Sequence, residues 1–301
     1  VTDTTRRIAL SVITLLLSPG LLSAQDVSQA PISTQHVAGA VHLLRGAGGN
    51  IGISVGPNGI FLVDDEFAPL TDRVRAAIAK IDSASIRFVL NTHWHNDHTG
   101  GNENLGKAGV LIVAQDNVRR RMTREQFIAA FNTTIPASPS AALPVVTFPD
   151  SITFHLNGDS IVVSHVRNAH TDGDVIVYFA RADVLHAGDT FFNGMYPFID
   201  VSTGGSVDGM IAAADAMLRI AGAGTRIIPG HGPLASRAEL AAFRAMLVAA
   251  RDTIAPMVRA GRTLAQIQAA KPTAALDAKW GQGFMKPEQF VAVVVESYAK
   301  R

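Results

Sequence analysis

The chain of 301 residues contains no cysteine. It therefore has neither disulfides nor thiolate ligands, and any metal site must be built from nitrogen and oxygen donors. An excess of charge is missing too: 26 Lys and Arg stand against 25 Asp and Glu, and without the first 24 residues, which hold Arg6, Arg7 and Asp3, the two signs are equal. That balance argues against a surface made for nucleic acid or anionic membrane. Nor is there an unbroken apolar run of the roughly 20 residues a spanning helix needs. The nearest candidate, Ile8 to Leu22, is interrupted at Pro19-Gly20.

That apolar run follows Arg6-Arg7 and ends at Leu22-Ser23-Ala24, the pattern of a signal peptide over residues 1–24 cleaved near Ala24. The expected location is the periplasm or the exterior, with no stable membrane insertion after cleavage. The Arg pair with Leu10 matches a twin-arginine signal only in part, so the route is open. Residues 25–35 are polar and proline-containing and suit a linker; one domain over 36–301 should follow. At 48% hydrophobic and 17% charged residues it can bury a substantial core.

Short apolar stretches at His36–Leu44, Ile51–Val55 and Ile60–Val63, separated by glycine turns, predict antiparallel strands. Leu70, Val74, Ala77, Ile78 and Ile81 recur at helical spacing. Ser236 with Glu239, and Thr263 with Gln266, are capping boxes that open helices, and Phe290, Val291, Val294, Val295 and Tyr298 stripe a C-terminal one. Gly46 to Asn50 reads as a hairpin turn, since it lies between strands and opens no helix. Asn132 to Pro149, rich in Pro, Ser and Ala, reads as a long irregular loop and a candidate lid. Strands mixed with helices imply sheets covered by helices.

What the chain does have is a crowd of ligands. His93-Trp94-His95-Asn96-Asp97-His98 follows the predicted strand Ile86–Leu90, and His170, Asp189 and His231 each follow another: Ile161–Val166, Val184–Ala187 and Arg226–Pro229. Ligands at strand ends can converge on one sheet edge. In an extended segment residues two apart point alike, so His93 and His95 can share one ion with His170, and Asp97, His98 and His231 can hold a second, with Asp189 bridging. A hydroxide held between two such ions is available at about pH 7 and needs no serine or cysteine nucleophile. His36, His42, His155, His165 and His186 lie in or beside strands and are expected to be satisfied by hydrogen bonds or solvent. Asp172 and Asp174 are expected to support the turn after His170. Trp94 and Tyr196 are candidates for lining the pocket or for packing.

The segments Asn91 to Asn102, His170-Thr171-Asp172-Gly173-Asp174, Gly188-Asp189-Thr190 and Pro229-Gly230-His231-Gly232 resemble, in order and spacing, the metallo-β-lactamase superfamily over roughly residues 36 to 240. The resemblance implies an α/β fold, a four-layer αββα sandwich. It also implies a mono- or dinuclear zinc centre on His93, His95, Asp97, His98, His170, Asp189 and His231, with Asp97 the candidate catalytic residue. An aspartate at 189 is typical of the family's thioesterases, lactonases and generalist hydrolases, whereas its dedicated β-lactamases usually carry cysteine or serine there. The family's di-iron redox members tend to carry glutamate where His95 stands. The expectation is an exported enzyme with two Zn²⁺ acting on a small-molecule ester, lactone, thioester or amide. β-Lactam opening is the alternative, and a non-catalytic zinc-binding module is the alternative outside enzymes.

Overall fold

The computed structural model describes residues 27–299. The expected signal peptide lies outside the described residues. Antiparallel strands β1 (Ser33–Ala38), β2 (Val41–Arg45), β3 (Ile51–Ser54) and β4 (Ile60–Val63) open the fold. The strand expected from His36 starts at Ser33 and is divided by a tight turn at Gly39, whose φ of 54° suits glycine. Ala30 and Ile32, placed in the expected linker, pack against the core. Helix α1 (Thr71–Ala79) then crosses to β5 (Ile86–Asn91), parallel to β4. Short helices α2 (Asn96–Thr99) and α3 (Asn102–Lys107) lead to β6 (Leu111–Gln115), parallel to β5.

After α4 (Asp116–Met122) comes a small hairpin of β7 (Gln126–Ile128) and β8 (Thr133–Ile135), and then β9 (Val146–Phe148), which pairs with β6. The stretch Asn132 to Pro149 is thus not one irregular loop. It holds a strand of the hairpin, a single 3-10 turn and the edge strand of a seven-stranded sheet ordered β1-β2-β3-β4-β5-β6-β9. A second, five-stranded sheet is formed by β10 (Ser151–Leu156), β11 (Asp159–His165), β12 (Val175–Phe179), β13 (Val184–His186) and β14 (Arg226–Ile228) in that order. Helix α5 (Val207–Ile220) makes the crossover that lets β14 run parallel to β13. Helices α6 (Arg237–Arg259), α7 (Leu264–Ala269), α8 (Ala274–Trp280) and α9 (Pro287–Ala299) complete the chain, with both expected capping boxes formed.

Alternation along the strands sorts the side chains into layers. In β4, Ile60 and Leu62 face α1 with Val74 and Ile78, while Phe61 and Val63 face the second sheet. In β13 and β14, Val184 and Ile228 face the first sheet, while Leu185 and Ile227 meet α5 and α6 through Met217 and Phe243. The order is helix, sheet, sheet, helix, the expected αββα sandwich.

Candidate metal centre

Each expected ligand leaves the sheets at the same edge. β5 buries Val89 and Leu90 and then turns polar, carrying Asn91, Thr92 and His93 into the buried rim. The strand ends at Asn91, the chain bends through Thr92, His93 and Trp94, and His95, with φ and ψ of −66° and 148°, is the extended residue before α2. The chain then winds into α2, and the His98 amide donates to the His95 carbonyl at 3.0 Å. Asp97 and His98 are therefore placed by a helical turn rather than by strand alternation, with the His98 ring centroid 4.3 Å from that of His93. Asp97 reaches His231 (Oδ2 to Nε2, 3.2 Å), as the two-ion arrangement requires.

The ring nitrogens reveal what they await. His170 Nδ1 lies 2.9 Å from the Phe198 carbonyl and must donate to it. His95 Nε2 lies 3.1 Å from Asp200 Oδ2 and donates likewise. Thr92 Oγ1 donates its proton to Asp64 Oδ2 at 2.7 Å, so it accepts from His93 Nδ1 at 3.1 Å. With the outer nitrogens protonated, the inner ones (His93 Nε2, His95 Nδ1 and His170 Nε2) carry lone pairs. Yet His95 Nδ1 is only 3.1 Å from His93 Nε2 and 2.9 Å from His170 Nε2. Three lone pairs with no proton between them converge on a position for a cation.

The second group is complementary. His98 donates through Nδ1 to Asp64 Oδ2 at 2.7 Å, leaving Nε2 facing Asp189 Oδ1 at 3.1 Å and Asp97 Oδ2 at 3.5 Å. His98 Nε2 and Asp189 Oδ1 are buried without a properly angled hydrogen bond. Asp189 Oδ2 lies 3.4 Å from His231 Nε2, 3.6 Å from His170 Nε2 and 3.9 Å from His93 Nε2, so this carboxylate touches both groups. His93, His95 and His170 form one set of mutually close donor atoms; Asp97, His98 and His231 form another; Asp189 joins His93 and His98 in a third. Imidazoles and carboxylates in these numbers fit divalent zinc.

Burial pushes His93 well below the usual histidine range, helped by the neighbouring His98, and pushes His170 down to about 4. Burial acts the same way on His98 and His231, but the carboxylates win. Asp189, Asp97 and Asp64 hold His98 well above its usual value, and Asp189 and Asp97 lift His231 to about 9. Burial would raise Asp97, yet His98 and His231 bring it down to about 2.

Several functional residues escape a reading of the sequence. Asp64 accepts from His98, from the Thr92 hydroxyl and from the Thr92 amide, and so orients one ligand of each group. Asp200 does the same for His95. Glu66 accepts from the Gly48 amide at 2.8 Å, and Asn50 donates to the carbonyls of Pro229 and Gly232, pinning the β2–β3 hairpin beside the site. The available signal is the run Asp64-Asp65-Glu66 directly after an apolar strand, with Asp64 and Glu66 at φ of 65° and 67°. Nothing in the sequence near Asp200 marks it.

Asp174 supports the turn after His170, accepting from the His170 and Thr171 amides at 2.6 and 2.7 Å; Asp172 pairs with Arg121 at 2.7 Å. His186 is buried between Asn50 O and the Gly188 amide, and His165 meets the Asp174 carbonyl. His36 meets the Gly39 carbonyl and packs edge-on against His42, and His155 meets Ser160, so none of the five joins the centre. Trp94 lines the cleft above the ligands; Tyr196 packs in the core on Phe290 and hydrogen-bonds Asp277. That cleft, of about 560 Å³, reaches His95, Asp97, Asp189 and His231.

The sequence model of the metallo-beta-lactamase superfamily matches residues 44–236, a span that contains all seven ligand candidates. A hydroxyacylglutathione hydrolase of Nitrosococcus oceani is 28% identical over 166 residues, covering 54% of this chain and 55% of that protein. Another, of Polaromonas sp., is 25% identical over 193 residues, 61% of this chain and 66% of that one. The chain thus spans little more than half to about two thirds of these relatives. Among solved structures, a stereoselective inverting sec-alkylsulfatase from Pseudomonas sp. superposes with a TM-score of 0.63 at 18% identity, covering 90% of this chain and 50% of that one. A metallo-beta-lactamase from Pontibacter korlensis gives 0.58 at 19% identity, covering 72% and 99%. These likenesses show the shared fold, and with the match over residues 44–236 the chain belongs to the metallo-beta-lactamase superfamily.

Proposed function

We propose that the protein is an exported hydrolase that holds two zinc ions and cleaves a small ester, lactone, thioester or amide with water. The carrying observation is the convergence of unprotonated imidazole nitrogens with two carboxylates at one sheet edge, open to a cleft. His93, His95 and His170 would hold one ion, Asp97, His98 and His231 the other, and Asp189 both. Bound there, zinc supplies acidity to a water near neutral pH and polarises a carbonyl oxygen. Asp64 and Asp200 keep the ligand rings in the tautomers that leave their inner nitrogens free. Asp97 and Asp189 both border the cleft, so their oxygens are available to orient an attacking water. The relatives named hydroxyacylglutathione hydrolase support a thioester among the substrate classes. Export is supported by the pattern of Arg6-Arg7, the apolar run and Ala24. Among the described residues no helix is long and apolar enough to cross a membrane.

Zinc-loaded and chelated protein should be compared on lactone, thioester, ester, phosphodiester and β-lactam substrates. Turnover of a carbonyl substrate that disappears on chelation supports the proposal; turnover of β-lactams alone would replace it with the second reading. Asp97→Ala should lower turnover at least about 100-fold, as loss of a group that touches the reacting water does. A zinc-binding module would lose metal only and show no turnover to begin with. Iron instead of zinc in protein purified without added metal would overturn the zinc assignment. Mass analysis of the exported protein should place its N-terminus near residue 25.

A further inference from the structure

The cleft over the ligands is walled by aromatic rings, two of them about half exposed. Phe131, at the tip of the β7–β8 hairpin, is 45% exposed, and Phe284, between α8 and α9, is 51% exposed. Both border the cleft. Phe131 packs on Phe198 with centroids 4.7 Å apart, and Phe198 in turn stacks 5.8 Å from the His95 ring. Phe284 stands 6.3 Å from the His231 ring. An apolar track therefore runs from solvent to the ligand rings on two sides of one cavity, where exposed carbon costs free energy unless something covers it. Among the described residues that line this cavity there is no Lys or Arg; the charged groups are Asp97, Asp189 and the ligand histidines. Arg121 is paired with Asp172, and Lys286 donates to the Gly283 carbonyl.

We infer that the substrate is a neutral molecule whose reacting carbonyl adjoins an apolar group of several carbons, seated between Phe131 and Phe284. The inference rests on the hydrolase reading and deepens it. A carboxylate at the far end of that arm lies among aromatic and aliphatic side chains with no Lys or Arg on the cleft wall, so its desolvation is uncompensated. An alkyl or aryl arm gains with every methylene covered, and a cavity of about 560 Å³ has room for far more than an acetyl group.

The test uses zinc-loaded protein and p-nitrophenyl esters from acetyl to octanoyl, with an octanoyl analogue bearing a terminal carboxylate. kcat/KM should rise by about threefold for each methylene that is buried, and the carboxylate should cancel the gain. Phe131→Ala with Phe284→Ala should lower the octanoyl-to-acetyl ratio by at least about tenfold. A flat chain-length profile, or faster turnover of the carboxylate ester, overturns the inference while leaving the hydrolase reading intact. If no ester is turned over, the hydrolase reading loses esters from its substrates and is judged on its own panel, and the cleft is judged by binding. The neutral fluorophore N-phenyl-1-naphthylamine should bind, and the double variant should bind it at least about fivefold more weakly. Absence of binding, or equal binding by the variant, overturns the inference.

Discussion

His98 and His231 enter the metal-free site as cations, whereas His93 and His170 enter as neutral rings. The cause is the position of the carboxylates: Asp97 and Asp189 face His98 and His231, and burial dominates around His93 and His170. An ion taken up by the His93 and His170 rings thus displaces little proton from them at neutral pH. One on Asp97, His98 and His231 must displace protons, because the His231 ring keeps its own until about pH 9. Calorimetric zinc titration in buffers of different ionisation enthalpy should show one event with little proton release and one with release that shrinks as pH approaches 9. Equal release in both events would contradict the assignment. Asp64 serves both groups, and its φ of 65° is one that asparagine also tolerates. Asp64→Asn should therefore keep the backbone yet weaken metal affinity by about 10- to 100-fold, measured by competition with a chelator. The seven ligand candidates were legible because their residue types crowd or recur at strand ends. Asp64 and Asp200 were not, since a lone carboxylate acquires meaning only from the ring nitrogen it faces.

At the scale of elements, the site depends on turns more than on strands. The β2–β3 hairpin approaches so closely that a Cβ on Gly49 would overlap the His98 ring, and in the turn after β14 a Cβ on Gly230 would overlap the Asp189 carboxylate. Gly49→Ala should displace His98 and reduce bound zinc from two ions to one, read by elemental analysis, with the His93, His95 and His170 group retained. Helix α6 is far simpler: its capping box at Ser236 and Glu239 is exposed, and Ser236→Ala should cost about 1 kcal/mol in denaturant unfolding without altering metal content. The capping boxes were readable because they are local hydrogen-bond arrangements written within four residues. The β9 strand was not, for it is three residues long and extended only because β6 offers it an edge. Helix α5 also went unread. Its stripe of Val207, Met210, Ala214 and Met217 has helical spacing, but its cap, Ser206, has Gly209 where a capping box places an acid or amide.

For the whole molecule, the absence of cysteine leaves stability to the two packed sheets and, when loaded, to the proposed metal centre. Chelation should lower Tm, and it should do so more at high pH. The sign follows from His231: its folded value, about 9, exceeds the ordinary 6.5, so its proton stabilises the metal-free fold fully below 6.5 and progressively less up to 9. Metal-free protein should therefore lose Tm between pH 6.5 and 9 in thermal scans, while the loaded protein, whose His231 is held by the ion, should not. The layered class, the strand-end placement of the ligands and the nitrogen–oxygen character of the centre were determined by sequence alone, because periodicity and residue type are local properties. Only the tertiary structure decided which histidine nitrogen faces inward, which carboxylates orient the ligands, and that the cleft is ringed by Phe131, Phe198 and Phe284. Those depend on which side chains, far apart along the chain, are brought within hydrogen-bonding or packing distance when the two sheets close on each other.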